Sequence, residues 1–155
     1  MTNDGGMTVS LEQWLADTLK ALKYLDKDVF KTSEPWSWQI SAANSGNFGK
    51  LSPFAFSGYQ LDADGFREGG GDLRQQLKFG IVIGVESSMD GVAKNGDATH
   101  LGISKIRELV IATIDKQHPD SGLNCDDFMY EGEIAWVDKP RQCAIQLNFS
   151  VNWIM

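Results

Sequence analysis

From residue 142 to residue 153, apolar and polar residues alternate without interruption. Cys143, Ile145, Leu147, Phe149, Val151 and Trp153 fall on one side of an extended chain, and Gln142, Ala144, Gln146, Asn148, Ser150 and Asn152 on the other. Residues 128–137 alternate in the same way, with Phe128, Tyr130, Ile134 and Trp136 in phase. Asp138-Lys139-Pro140-Arg141, between the two runs, is turn material. Setting Trp136 opposite Cys143 brings Ile134 to Ile145, Tyr130 to Phe149 and Phe128 to Val151, so both apolar sets share one face. A slip of one residue would bury Glu131 and Glu133. The pattern predicts that the chain ends in a long antiparallel hairpin, apolar on one side and polar on the other.

Upstream, Ser10 followed by Gln13 reads as a capping box opening a helix over residues 11–24, with Leu11, Trp14, Leu15, Thr18, Leu19 and Leu22 along one stripe. The pattern weakens after residue 26. Short strands are expected at 34–40, with Trp36, Trp38 and Ile40 on one face, and at 54–59; residues 44–50 between them read as a loop. A second loop, 61–72, ends in Gly69-Gly70-Gly71, and its composition predicts mobility. Residues 73–86 then form a strong strand with Leu77, Phe79, Ile81, Ile83 and Val85 on the core face. Gly80 and Gly84 open its other face to a close neighbour. A helix at 102–117 carries Ile103, Ile106, Val110 and Ile114 one turn apart, with Pro119 beyond it. Together these elements predict an α+β fold: a mainly antiparallel sheet, two helices packed on one face, and a terminal β-hairpin.

Composition narrows the class. The 155 residues suit one domain, with 42% hydrophobic and 23% charged residues as in soluble globular proteins. No apolar stretch is long enough to span a bilayer, so no membrane partner is expected. Residues 1–8 read as a flexible tail without the features of a secretory signal. A net charge of −7 argues against a grip on nucleic acid through its phosphates. In the register above, Cys125 and Cys143 lie on the order of 35 Å apart at about 3.3 Å per residue, too far to pair within the hairpin, which fits a reducing, cytoplasmic setting.

Candidate chemistry is sparse. Residues 45–51 approach a phosphate-binding loop but carry Asn44 and Leu51 where Gly and Ser or Thr are needed. Asp62-Ala63-Asp64-Gly65 opens like a calcium loop, yet Phe66 and Leu73 stand where ligands should be. His100 and His118 flank one helix, about 25 Å apart at 1.5 Å per residue, and cannot share a metal. Cys143 occupies an apolar strand position, so no Cys–His nucleophile is expected. The reading is of a protein with no catalytic, cofactor or metal residues. Trp14, Trp136 and Trp153 fit core positions, whereas Trp36 and Trp38 fit either a core or exposed anchors for a partner.

An amphipathic N-terminal helix, a variable middle with an extended loop, a long strand at 75–85, the helix Ile103-Ser104-Lys105-Ile106-Arg107-Glu108-Leu109-Val110 and a terminal hairpin follow one another. This layout resembles the tail terminator proteins of tailed bacteriophages, most closely the Mu-like branch of contractile tails. The resemblance covers residues 9–155 in layout and rests on no short diagnostic motif. It implies a non-catalytic virion protein, assembled in the host cytoplasm, that forms a hexameric ring on the tail tube, stops tube growth and presents a surface for head joining. Its partners would be copies of itself, the tail tube protein, and sheath and head-completion proteins. The residues then suggest subunit contacts at Gly80, Gly84, Gln146 and Asn148, and tube or partner contacts at Phe66, Arg67, Trp36 and Trp38. Two other classes share the size and acidity: another head–tail connector or baseplate component, and an acidic cytoplasmic inhibitor such as an immunity protein.

Overall fold

A computed structural model of the protein describes residues 6–39, 46–68, 72–119 and 123–154, and at 62–68 and 72–73 the backbone alone. The chain begins with helix α1 (Gly6–Lys20), followed by the short strands β1 (Lys23–Tyr24), β2 (Lys27–Asp28) and β3 (Thr32–Pro35). A short helix α2 (Asn47–Leu51) precedes the long strands β4 (Phe54–Glu68) and β5 (Asp72–Glu86). Helices α3 (Val92–Asn95) and α4 (Ile103–Ile114) lead to the closing hairpin of β6 (Met129–Lys139) and β7 (Gln142–Ile154). The main sheet has five strands in the order β3-β4-β5-β7-β6. Only the β3–β4 pair is parallel. This is the expected α+β fold with its terminal hairpin.

The helices form where apolar residues recur every three to four positions. In α1, Leu11, Leu15 and Leu19 are fully buried, as are Ile106, Val110 and Ile114 in α4. Helix α1 lies over β3 and β4, and α4 over β5, β7 and β6, on the same side of the sheet. There they meet Leu77, Phe79, Ile81, Ile83 and Val85 of β5 and Leu147, Phe149 and Val151 of β7. Trp14 stacks on Phe128 with ring centroids 5.6 Å apart, closing this core at the α1 end.

The N-terminal cap differs from expectation. Helix α1 begins at Gly6, so residues 6–8 belong to it rather than to a tail, and Ser10 sits inside it. Met7 packs against the core and rewards the extra turn, while Gln13 Nε2 bonds Asp17 Oδ1 at 2.8 Å instead of reaching back to a cap. The helix ends at Lys20. A tight hairpin, β1–β2, takes the residues expected as its last turn, with Leu25 and Asp26 both at positive φ (51° and 65°).

Residues 61–72, expected as a loop, are largely strand. The backbone of β4 runs on to Glu68 and β5 starts at Asp72, in register from Ala63–Leu77 to Glu68–Asp72. The Asp and Gly content there lowers strand propensity, but pairing along the whole of β5 overrides it. A bulge between Gln60 and Ala63 is the one irregularity. In the segment 44–50, also expected as a loop, residues 47–50 belong to α2. Ile40 lies outside the described residues.

Where β4 leaves the shelter of β3, the Glu12 carboxylate on α1 accepts the Tyr59 N–H at 2.7 Å. Burial pushes the Glu12 carboxyl above its ordinary value, and the Tyr59 bond only partly offsets this. A carboxyl raised by folding stabilises the fold below its unfolded value and loses that contribution as pH rises through the folded one. Glu12→Gln keeps an acceptor without the charge, so it should melt higher than wild type at pH 7, with the advantage vanishing below pH 4. Equal melting at neutral pH would count against this account.

Gly84 on β5 is buried, and a Cβ there would collide with the Phe54 ring. Gly84→Ala should therefore destabilise the fold by roughly 1–3 kcal/mol, as overpacking does. Urea unfolding checks it, and an unchanged midpoint would show that Phe54 moves aside freely.

Candidate functional site

The sheet's second face, away from α1 and α4, is not the polar surface that alternation predicts. Phe54 and Phe56 of β4, Val82 of β5 and Ala144 of β7 form a second apolar layer, with Phe48 of α2 over Phe54. Trp36, just past β3, stands at its centre. Its ring lies 6.0 Å from Phe56 and 5.7 Å from Trp136, edge-on to both, and 5.6 Å from Trp38. Helix α2 covers one end of this layer. Over the rest, Trp38 is 70% exposed, Ile134 54% and Trp136 43%.

Trp136 and Ile134 reach this face because of β6. Two bulges, between Tyr130 and Gly132 and between Ala135 and Val137, shift its register on β7. Tyr130 faces Phe149 as expected, but Ile134 faces Gln146 instead of Ile145, and Asp138 takes the place opposite Cys143 expected for Trp136. Each bulge turns the following side chains to the opposite face. Ile134 and Trp136 are thereby moved out of the helix-covered core, correcting the expectation for both. The available signal was Gly132, an isolated glycine inside a strand pattern, here at φ 121°.

The same shift turns Glu133 toward the helices, at the rim. There its Oε1 accepts from Tyr130 Oη and from Arg107 Nε on α4. Burial pushes the Glu133 carboxyl up, but the Tyr130 and Arg107 bonds outweigh it and hold the group below its usual range. The acid thus becomes a clamp between α4 and β6.

The four positions expected to form subunit contacts behave differently. Gly80 and Gly84 are buried under the chain's own side chains: a Cβ at Gly80 would lie 2.9 Å from Gln146 Nε2, and Gly84 lies under Phe54. The room that the glycines leave is filled from within, so neither offers an open face to another subunit. Gln146 and Asn148 join one amide chain. Trp136 Nε1 donates to Gln146 Oε1 at 3.1 Å, Gln146 Nε2 to Asn148 Oδ1 at 2.7 Å, and Gln60 Nε2 to the same oxygen at 3.1 Å. These amides border the indoles as a neutral, half-buried strip. Of the expected partner contacts, Trp36 and Trp38 sit together on this face, whereas the side chains of Phe66 and Arg67 lie outside the described residues.

A cleft of about 880 Å³ opens at another end of the molecule, lined by Tyr24, Lys27, Glu86, Asp97, His100 and Lys105 among others. Asp97 Oδ1 organises one wall, accepting the backbone N–H of Thr99 (2.9 Å) and His100 (2.8 Å), the Thr99 hydroxyl (3.2 Å) and His100 Nδ1 (3.0 Å). His118 Nδ1 lies 3.1 Å from Asp127 Oδ1. Cys125 makes an isolated backbone bridge to Trp153 near the end of β7, and Cys143 lies at the opposite end of that strand. Burial, then Asp126 and Asp127, raises the Cys125 thiol to about 11, and burial likewise raises Cys143.

The fold and this face define a small α+β domain with helices on one side of its sheet and a partly open tryptophan surface on the other. No protein-family model matches the chain, and no curated protein matches it in sequence.

The Asp97 turn is pH-sensitive. The Thr99 backbone N–H first, and then the His100 ring, lower its carboxyl from 3.8 to about 2. A depressed carboxyl gives its full contribution above 3.8 and loses it as pH falls through about 2. The Thr99 and His100 amides should therefore stay protected from exchange at pH 4 and lose protection only toward pH 2, ahead of the β5 core. Loss of protection already complete at pH 4 would refute it.

Proposed function

We propose that the protein is a non-catalytic assembly subunit that acts through the tryptophan face of its sheet, as a tail terminator ring on a phage tail tube. The observation that carries this reading is the exposure of Trp38, Trp136 and Ile134 around the half-buried Trp36. A monomeric protein has little reason to leave two indoles and an isoleucine together in water, and tryptophan is the side chain that most often anchors protein–protein contacts. The neutral amide strip beside the indoles suits the semi-polar rim of such a contact. A head-to-tail contact between this face and a different surface of the next copy closes into a ring when the rotation from copy to copy divides a full turn. The resemblance in layout to tail terminators supplies the kind of ring, its hexameric form, its tail tube partner and its place in the virion. The net charge of −7 per subunit would keep DNA in such a ring from adhering to its wall.

The test is the mass of the purified protein across concentrations, alone and with tail tubes, by native mass spectrometry and sedimentation. A ring is expected, and Trp38→Ala and Trp136→Ala should each weaken it about thirtyfold, the effect of losing a hot-spot side chain worth roughly 2 kcal/mol. Trp38→Ala should leave the melting temperature of the monomer nearly unchanged. A single monomeric mass under all conditions would remove the proposal and favour an inhibitor-like role. Rings that form normally in both variants would place the contact elsewhere.

A further inference from the structure

We infer that the outer edge of β4 beyond Ser57 is a docking site for an extended, Lys- and Arg-rich segment of a partner protein, which joins the sheet as an added strand. Strand β3 covers only Phe54–Ser57 of β4, and the Trp36 N–H on the Ser57 carbonyl closes that pairing. Among the described residues, no strand borders β4 on this side from residue 58 to residue 68. The orientation of the free groups follows from the register. The Tyr59 N–H meets Glu12, so it points away from β5. Ala63 faces Leu77 two residues along β5 from the Tyr59–Phe79 pair, and the register is regular from there to Glu68. The main-chain groups of Ala63, Gly65 and Arg67 therefore also point outward, as a row of donors and acceptors ready for a strand.

The sheet's other edge is guarded. On β6 two bulges interrupt the row, with Gly132 at positive φ inside the first, and such irregularity resists pairing. On β4 the guards stop early: Glu12 closes the edge at Tyr59, the bulge ends at Ala63, and beyond it the edge runs straight. Leu61, 94% exposed, stands at the entrance. The sequence here also selects the occupant. Asp62, Asp64, Glu68 and Asp72 outnumber Arg67, so a second copy pairing edge to edge would bring like charges together, whereas a basic strand is attracted. The site uses main-chain groups rather than indoles and stands whether or not the tryptophan face joins copies of the chain.

The test uses the full chain and a fluorescein-labelled peptide of alternating Lys and Val, followed by anisotropy, with a Glu–Val peptide as control. Saturable binding of the Lys peptide alone, weakening with salt, is expected. Ala63→Pro and Gly65→Pro each remove an outward N–H without touching the ladder to β5, so both should fold and bind about tenfold more weakly. Amide exchange in the wild type reads the same contact without substitution: the Ala63, Gly65 and Arg67 amides should slow when peptide saturates. The inference fails if the Lys peptide does not bind saturably, if the Glu peptide binds as well, if folded proline variants bind like wild type, or if those amides remain unprotected.

Discussion

Strand β5 is the member on which the architecture depends. From Arg74 to Gly84 it is hydrogen-bonded on both edges, to β4 and to β7. Its two faces are built differently. Leu77, Phe79, Ile81, Ile83 and Val85 project into the helix layer, each worth about 1.5–3 kcal/mol when fully buried. The reverse face offers Gly80, Val82 and Gly84, so it is thin, and the Phe54 ring and the Gln146 side chain lie flush against the backbone. That difference lets one sheet support a full helix layer on one side and a shallow aromatic layer on the other.

The two layers are held by different forces. The helix side is a deep core of aliphatic residues with Phe79, Phe128 and Phe149 among them, held mainly by non-directional burial and tied at its rim by the Arg107–Glu133–Tyr130 cluster. On the second side edge-on rings dominate, and their geometry fixes where Trp36 can stand between Phe56 and Trp136. Helix α2, five residues long, covers Phe54 but is too short to reach across the face.

Much of the fold was legible in the sequence. Four-residue spacing of Leu11, Leu15 and Leu19, and of Ile106, Val110 and Ile114, located both main helices. Strict alternation located β5 and β7 to within a residue or two. The second face was not legible, for physical reasons. Alternation assigns faces only while a strand pairs one for one, and the bulges in β6 break that count where the apolar phase looks cleanest. Glycine in a strand signals a close approach, but not whether the visitor comes from the same chain, so Gly80 and Gly84 suggested an outside partner where Gln146 and Phe54 already sit. The length of β4 was hidden because its distal residues are poor strand formers, held by pairing with β5 rather than by propensity. Trp36 and Trp38 were visible as a pair, but their company with Trp136 emerges only in three dimensions.

The β6 bulges also bear on how such a surface can persist. Each bulge takes up one residue of extra length locally, while the pairs on either side, Tyr130–Phe149 and Ile134–Gln146, stay in place. Removing the extra residue between Tyr130 and Gly132 would straighten the strand and leave Ile134 and Trp136 on the aromatic face. A lineage carrying this domain could therefore gain or lose a codon here without losing the surface, because the pairing with β7 and not the residue count sets the face.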